Sequence, residues 1–189
     1  MSLLSVENLV VLFNTDDGVI TAVDKIGFEL EEGEGLGLGG ESGSGKSVTA
    51  KSLMQLNPLN TFYGKNSSIR LKLGVGELDV LRLKSSKELV VVRGGAISMI
   101  FQEPMTALNP VLTIYEQLDE VLKEHSSLGN QNRRKKISDL LRQVGLRDVE
   151  SKLDWYPHQF SGGMRQRAMI AMAMSCNCLL YTSPSPRDS

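Results

Sequence analysis

Apolar positions crowd residues 4–13 in a β-rich run, Asp16-Asp17-Gly18 reads as a turn, and residues 19–30 resume the strand pattern. The chain therefore opens on an antiparallel hairpin region. Glu32-Gly33-Glu34-Gly35 punctuates its end, and residues 36–39 read as a short strand weakened by glycines, running directly into Gly40-Glu41-Ser42-Gly43-Ser44-Gly45-Lys46-Ser47. A helix is expected from Lys46 to about Leu56, ended by Pro58. Beyond it, residues 66–84 suggest β structure around Gly74 and Gly76, residues 86–92 a short helix, and residues 96–101 a buried strand.

After Pro110 the period changes. Ile114, Leu118, Val121 and Leu122 fall at i, i+4, i+7 and i+8, and Thr113 with Glu116 makes a capping-box signature, so a helix is expected here. Ile137, Leu140, Leu141 and Val144 repeat that spacing beyond the polar stretch 126–132, and Gly145 closes the second helix. The pair predicts a small helical subdomain. From Ser161 the chain turns to Gly, Met and Ala, with Met164, Ala168, Ala171 and Met172 at helical spacing, a pattern of core packing.

Composition narrows the function classes. The 189 residues suffice for one domain, and 21 Lys+Arg against 22 Asp+Glu give a net charge of −1, which excludes a polybasic nucleic-acid arm and makes nucleic acid an unexpected partner. Uninterrupted apolar stretches such as residues 168–174 fall far short of the roughly 20 residues of a membrane span. The first residues lack the basic region and cleavage site of a secretory signal, so a cytosolic chain is expected. Cys176 and Cys178 offer only two of the four ligands that structural zinc takes and are too close for a good disulfide, so neither metal nor redox function is expected of them.

The strongest chemical signal is Gly40, Gly45, Lys46 and Ser47, which satisfy G-x-x-x-x-G-K-[ST] between a strand and a helix. Glycines let backbone N–H groups curl around an anion, and a helix N-terminus adds partial positive charge. Lys46 supplies a point charge to the β- and γ-phosphates, and Ser47 a hydroxyl to Mg²⁺. ATP or GTP binding follows from the motif, without a choice of nucleoside. Gln102, in Phe101-Gln102-Glu103-Pro104, lies at the end of an expected strand, where ligands of open α/β sheets bind; a turn cap before Pro104 is the other reading. Ser161, Gly162 and Gly163 open the last helix, either as a second phosphate-binding helix start or as a plain N-cap.

These three motifs in this order resemble the ATP-binding subunits of ABC transporters. More narrowly, the P-loop octapeptide, Met99-Ile100-Phe101-Gln102-Glu103-Pro104-Met105-Thr106 and Tyr156-Pro157-His158-Gln159-Phe160-Ser161-Gly162-Gly163-Met164-Arg165-Gln166-Arg167 resemble the oligopeptide and dipeptide importer branch, over residues 4 to about 177. The resemblance implies an α/β fold: a P-loop NTPase core of ABC type, an antiparallel β subdomain, and a helical subdomain at about residues 111–160. It implies that Gly40, Glu41, Ser42, Gly43, Ser44, Gly45, Lys46, Ser47 and Val48 hold ATP, and that Ser47 and Gln102 contact Mg²⁺. It makes Gln102 a sensor of the membrane subunits. Ser161, Gly162 and Gly163 become the signature that closes on ATP held by a second ATP-binding subunit. Phe13 falls where the family stacks an aromatic on adenine, although its sequence position serves equally for a core strand residue. The implied partners are transmembrane permease subunits, a second ATP-binding subunit and a separate peptide-binding protein, with the chain peripheral on the cytoplasmic face of the plasma membrane.

The chain also departs from the family. Members continue into a hydrophobic strand ending in Asp-Glu, whose carboxylates hold the Mg²⁺ shell and polarise the attacking water, and neither residue follows the signature helix here. Nucleotide binding without turnover is the expectation, with residues 36–39 left short of a strand neighbour. Residues 178–189 show no helical or strand period, resemble no ABC segment, and back-translate to a transposase adapter of the kind used for sequencing libraries. The natural sequence is expected to stop at residue 177, the remainder being a non-native tail, extended and poorly packed. Two rival readings are a soluble ABC ATPase of repair or translation and a non-catalytic nucleotide-binding module.

Overall fold

The computed structural model describes residues 2–74, 76–101, 107–176 and 178–182. The chain divides into two compact units, Met1–Arg93 and, from the following residue, Gly94–Pro186.

The first unit is an antiparallel sheet organised around one long strand. Strand β1 (Leu4–Thr15) pairs along its length with β2 (Gly18–Leu30), and its other edge takes β3 (Thr61–Tyr63) and β4 (Ser68–Leu73). β4 in turn pairs with β5 (Gly76–Asp79) around a turn at Gly74, whose φ is +57°. The expected hairpin is present, with Gly18 at φ +120° and the Thr15 hydroxyl donating to Gly18 O at 2.7 Å. A strict two-residue alternation would send Leu9 and Val11 to the face opposite Leu4 and Val6, yet all four are buried. The reason is a bulge: three steps of β1 from Val6 to Leu9 face two steps of β2, and Asn8 takes a left-handed φ of +46°. Ser67 closes the gap, accepting from Val10 N at 3.0 Å and donating to Asn8 O at 2.9 Å. Leu4, Val6, Leu9, Val11, Ile69, Leu71 and Val80 are all buried, each aliphatic side chain contributing about 1.5–3 kcal/mol.

Residues 36–39 differ from the expectation. They carry no strand, and Leu36 and Leu38 are exposed at 47% and 43%. An extended segment becomes a strand only by pairing its N–H and C=O groups, and among the described residues no ladder reaches this one, in line with the missing neighbour expected from the sequence. Helix α1 (Lys46–Ser52) follows, shorter than expected because the chain turns left-handed at Gln55, φ +49°. A single turn of 3₁₀ helix (Val80–Arg82) leads to α2 (Ser86–Val92), which has a complete capping box between Ser85 and Glu88. Those hydrogen bonds from Ser85 hold the Glu88 carboxyl below its ordinary range.

The second unit is mostly helical. Helices α3 (Ile114–His125), α4 (Asn130–Gln143), the short α5 (Val149–Lys152) and α6 (Gly162–Met174) share a core of Leu118, Leu122, Ile137, Leu141, Leu153 and Ala171 with their neighbours. Thr113 and Glu116 form the expected capping box, and Gly145, at φ +84°, stands just beyond α4. Ala168 and Ala171 are buried, with Met164 and Met172 packed beside them, as their spacing implied. Ile114 N and Tyr115 N donate to Trp155 O and Leu153 O, both at 2.9 Å, so two donors that a helix start leaves over are satisfied by a neighbouring segment. The buried Asp119 carboxylate accepts from Arg133 Nε at 2.5 Å and pairs with Lys123 Nζ at 2.8 Å, joining α3 to α4.

This unit also contains β6 (Ile97–Met99), paired in parallel with β7 (Leu180–Thr182). The expectation that the chain from Cys178 onward packs poorly needs correction for residues 178–182. Leu180 N donates to Ala96 O at 3.1 Å, Ile100 N to Thr182 O at 2.8 Å, and the buried Cys178 thiol to Gly94 O at 3.1 Å. A buried strand with open backbone groups accepts any extended, β-prone segment, and Leu-Tyr-Thr is one. Burial pushes the Cys178 thiol up to about 11, and both cysteines are free. Among the described residues no helix is long and apolar enough to cross a membrane.

Candidate functional site

The glycine-rich loop takes its shape from residues that cannot be exchanged freely. Gly40, Gly43 and Gly45 adopt φ values of +152°, +83° and +89°. A Cβ on Gly45 would stand 2.5 Å from Ala22 O, a backbone atom of β2, so this position excludes every side chain; one on Gly40 would meet Ser44 Oγ at 2.6 Å. Ser44 N donates to Glu41 O at 3.2 Å, tightening the loop into a turn. Lys46 folds back over it, donating from Nζ to Gly40 O at 2.6 Å and Glu41 O at 2.8 Å. Gly40, Glu41, Ser42, Gly43, Ser44 and Ser47 are exposed, while Gly45, Lys46 and Val48 are half-buried.

Helix α1 begins at Gly45 with no side-chain cap, and the first intrahelical bond runs from Thr49 N to Gly45 O at 2.8 Å. The first-turn amides of Ser47 and Val48 precede that bond and belong to the donors that a helix leaves for an external acceptor. No acidic side chain occupies this first turn. Positive-φ glycines, outward donors, a converging ammonium and an exposed Ser47 hydroxyl together suit a polyphosphate with its cation.

The far end of α1 is held more firmly than its sequence suggests. Leu56 N reaches back to Lys51 O at 2.9 Å across the left-handed Gln55, a Schellman-type closure. Arg93 donates from Nε to Met54 O at 2.8 Å and from Nη2 to Gln55 O at 2.6 Å. Gln55 Nε2 donates to Val80 O and Leu83 O, and Asn57 Nδ2 to Ser52 Oγ at 2.8 Å. Sequence reading passed over these three residues, because nothing in a local pattern links Arg93 to carbonyls 38 and 39 positions away.

The remaining expected site residues lie elsewhere. Phe13 is half-buried in β1, opposite Ile20 and Thr61, and no hydrogen bond or ring contact joins it to the loop among the described residues. Gln102 lies outside the described residues. Ser161 caps α6, accepting from Met164 N at 3.3 Å, and is exposed together with Gly162 and Gly163, whose added Cβ atoms would meet open space. Beneath them Phe160 is buried edge-on against Trp155, ring centroids 6.0 Å apart, and Arg165 Nε donates to Phe160 O at 3.0 Å. The loop belongs to the first unit and the Ser161 helix start to the second. Among the described residues, no cluster of three or more His, Cys, Asp or Glu side chains could hold a metal ion.

Comparison with known proteins gives a consistent picture. A family model described as ABC transporter matches residues 23–182. The chain is 47% identical to the dipeptide transport ATP-binding protein DppD of Bacillus subtilis (strain 168), covering 97% of this chain and 53% of that protein. It is 42% identical to the oligopeptide transport ATP-binding protein OppD of the same strain, over 97% of this chain and 50% of the relative. The chain thus spans about half the length of the curated relatives it matches. Among solved structures, an ATP-binding cassette in a dimeric, post-hydrolysis state bound to ADP and Pi superposes with a TM-score of 0.79 at 24% identity, covering 97% of this chain and 74% of that one.

Proposed function

Since the chain belongs to the ABC transporter family, we propose that it comes from an ATP-binding subunit that powers import of oligopeptides or dipeptides. The observation that carries this reading is the loop geometry: Gly45 held against Ala22 O, and Lys46 Nζ donating to Gly40 O and Glu41 O. In this role Gly40 to Val48 would hold the phosphates of ATP, the Lys46 ammonium would offset charge on the β- and γ-phosphates, and the Ser47 hydroxyl would hold Mg²⁺. The bound cation supplies neutralisation of charge that develops on the transferring phosphoryl group. Gln102 would join the Mg²⁺ shell, and Phe13 would offer its ring to adenine.

Ser161, Gly162 and Gly163 would meet the γ-phosphate of ATP held by a second ATP-binding subunit. The relatives' names support the cargo class; the partners proposed with it are permease subunits in the membrane and a separate peptide-binding protein, and the proposed position is peripheral on the cytoplasmic face. The proposed boundary puts the ABC portion at residues 1–177 and a non-native tail at residues 178–189, while the family match runs on to residue 182. Hydrolysis is not expected of the 189-residue chain, since β7 presents Leu180, Tyr181 and Thr182 and no carboxylate.

Titrating the 189-residue chain with a fluorescent ATP analogue and Mg²⁺ tests the reading. Lys46→Ala removes a charge-assisted contact of about 1.5–3 kcal/mol and should weaken binding roughly ten- to a hundredfold. Equal affinity of the two proteins would overturn the P-loop assignment. Phosphate release should match the Lys46→Ala background in both, and turnover above it would mean that another carboxylate serves.

A further inference from the structure

Helix α1 carries the phosphate loop at one end, and its other end is fastened by side chains from distant parts of the first unit. We infer that Arg93 and Gln55 are positioning residues for nucleotide binding: they fix the C-terminal end of α1 and so set where Lys46, Ser47 and Val48 stand. The inference rests on the nucleotide-binding reading above.

At seven residues α1 is about 10 Å long, less than two turns, and isolated helices of that length do not persist. Its geometry must therefore come from what holds it. At the loop end, Gly45 lies against Ala22 O. At the other end the carbonyls of Met54 and Gln55, which continue the helix into its left-handed closure, both point into the Arg93 guanidinium, at 2.8 and 2.6 Å. A planar fork can satisfy two carbonyls at once, and its charge suits a helix C-terminus. Arg93 is itself fixed, because it ends α2 with its N–H donating to Leu89 O at 2.7 Å. Gln55 holds a φ of +49° that a residue with a side chain adopts at a cost, and its amide spans to Val80 O and Leu83 O. The guanidinium and the amide thus tie one end of α1 to the ends of two other elements. A displacement there has no flexible segment to absorb it before Lys46.

A merely structural role and a positioning role separate at Gln55. Gly at a left-handed position relieves backbone strain, so Gln55→Gly removes the side-chain ties while offsetting their loss in stability. The experiment measures the Kd for a fluorescent ATP analogue with Mg²⁺, and the thermal midpoint, in the 189-residue chain and in its Gln55→Gly, Arg93→Lys, Arg93→Ala and Lys46→Ala variants. Binding is read well below each midpoint. Gln55→Gly should weaken binding roughly three- to tenfold with its midpoint held. Arg93→Ala should do the same, with affinity recovered by added methylguanidinium, and Arg93→Lys should fall between it and the unaltered chain. If Arg93→Ala does not fold, Gln55→Gly decides. Unaltered affinity in Gln55→Gly, or affinity that falls only in step with the midpoint, overturns the proposal. If the unaltered chain and Lys46→Ala bind equally poorly, the nucleotide-binding reading itself fails and the proposal falls with it.

Discussion

Helices α1 and α6 both start from exposed glycine-bearing segments, and they are held in opposite ways. α1 has seven residues, no side-chain cap at its start, and a far end clamped by Arg93, Gln55 and Asn57. α6 has thirteen residues, a Ser161 cap, the buried Phe160 immediately before it, and Ala168 and Ala171 packed into a helical core. The consequence lies at the N-termini. α1 leaves the amides of Ser47 and Val48 to an external acceptor, while α6 already satisfies Met164 N with its own serine hydroxyl. On the proposed reading the first is shaped for an anion before any ligand arrives, whereas at the second an incoming phosphate would compete with the Ser161 hydroxyl for the Met164 N–H.

Paired glycine substitutions break this comparison most directly. Gly45→Ala puts a Cβ against the Ala22 carbonyl at a φ of +89°, and should cost about 2–5 kcal/mol together with measurable ATP binding. Gly162→Ala adds a methyl to open space in a helix, and should leave stability unchanged or raise it by up to about 1 kcal/mol. Chemical denaturation and ATP titration of both variants check the contrast. Equal damage from the two would show that the loops are built alike.

The support beneath α6 can be probed through Asp119, which joins α3 to α4 in the same core. Burial alone would raise its carboxyl, but donors from Arg133 and Lys123 outweigh that and hold it below the usual range. A folded-state value below the unfolded one contributes stability that is present above pH of about 4 and lost as pH falls through the folded value. At neutral pH, Asp119→Asn leaves Arg133 facing a neutral amide and should cost about 1–3 kcal/mol, read by urea unfolding of the second unit. The gap between variant and unaltered protein should narrow as the pH is lowered below about 4. A constant gap would mean that packing, not charge, joins the helices.

The two units were unequally legible in the sequence. Capping pairs such as Thr113 with Glu116, and apolar spacings such as Ile137, Leu140 and Leu141, act between residues three or four apart, so the helices and their buried faces could be read directly. The phosphate loop was legible for a different reason: its chemistry demands specific residue types at fixed offsets. What escaped the reading is nonlocal. Residues 36–39 alternate like a strand, and although the missing neighbour was legible from the lack of the Asp-Glu segment, its consequence was not: with no partner among the described residues they form no strand at all. Leu-Tyr-Thr at residues 180–182 shows no pattern by itself, and the open edge of β6 made it a strand. The bulge at Asn8 left only a faint trace, two polar residues between Val6 and Leu9, and its completion by Ser67 spans 59 positions.

The smallest expected effect concerns Ser161. Removing its hydroxyl with Ser161→Ala deprives Met164 N of a partner, for which N-cap losses of about 1 kcal/mol are typical, corresponding to a fall in thermal midpoint of about 2–4 °C. Ser161→Gly should cost only a few tenths of a kcal/mol, because a glycine cap leaves the amide open to water. α6 should persist in both variants, since Phe160 below it and Ala168 and Ala171 within it stay buried whether or not the cap is made. ATP binding by a single chain should be unchanged, because the proposal has the Ser161 helix start meet nucleotide held by another subunit. Differential scanning calorimetry orders the three proteins, and the ATP titration separates the two helix starts. If Ser161→Ala weakened single-chain binding as Lys46→Ala does, the two starts would be acting on one nucleotide within one chain, and the contrast drawn between them would be wrong.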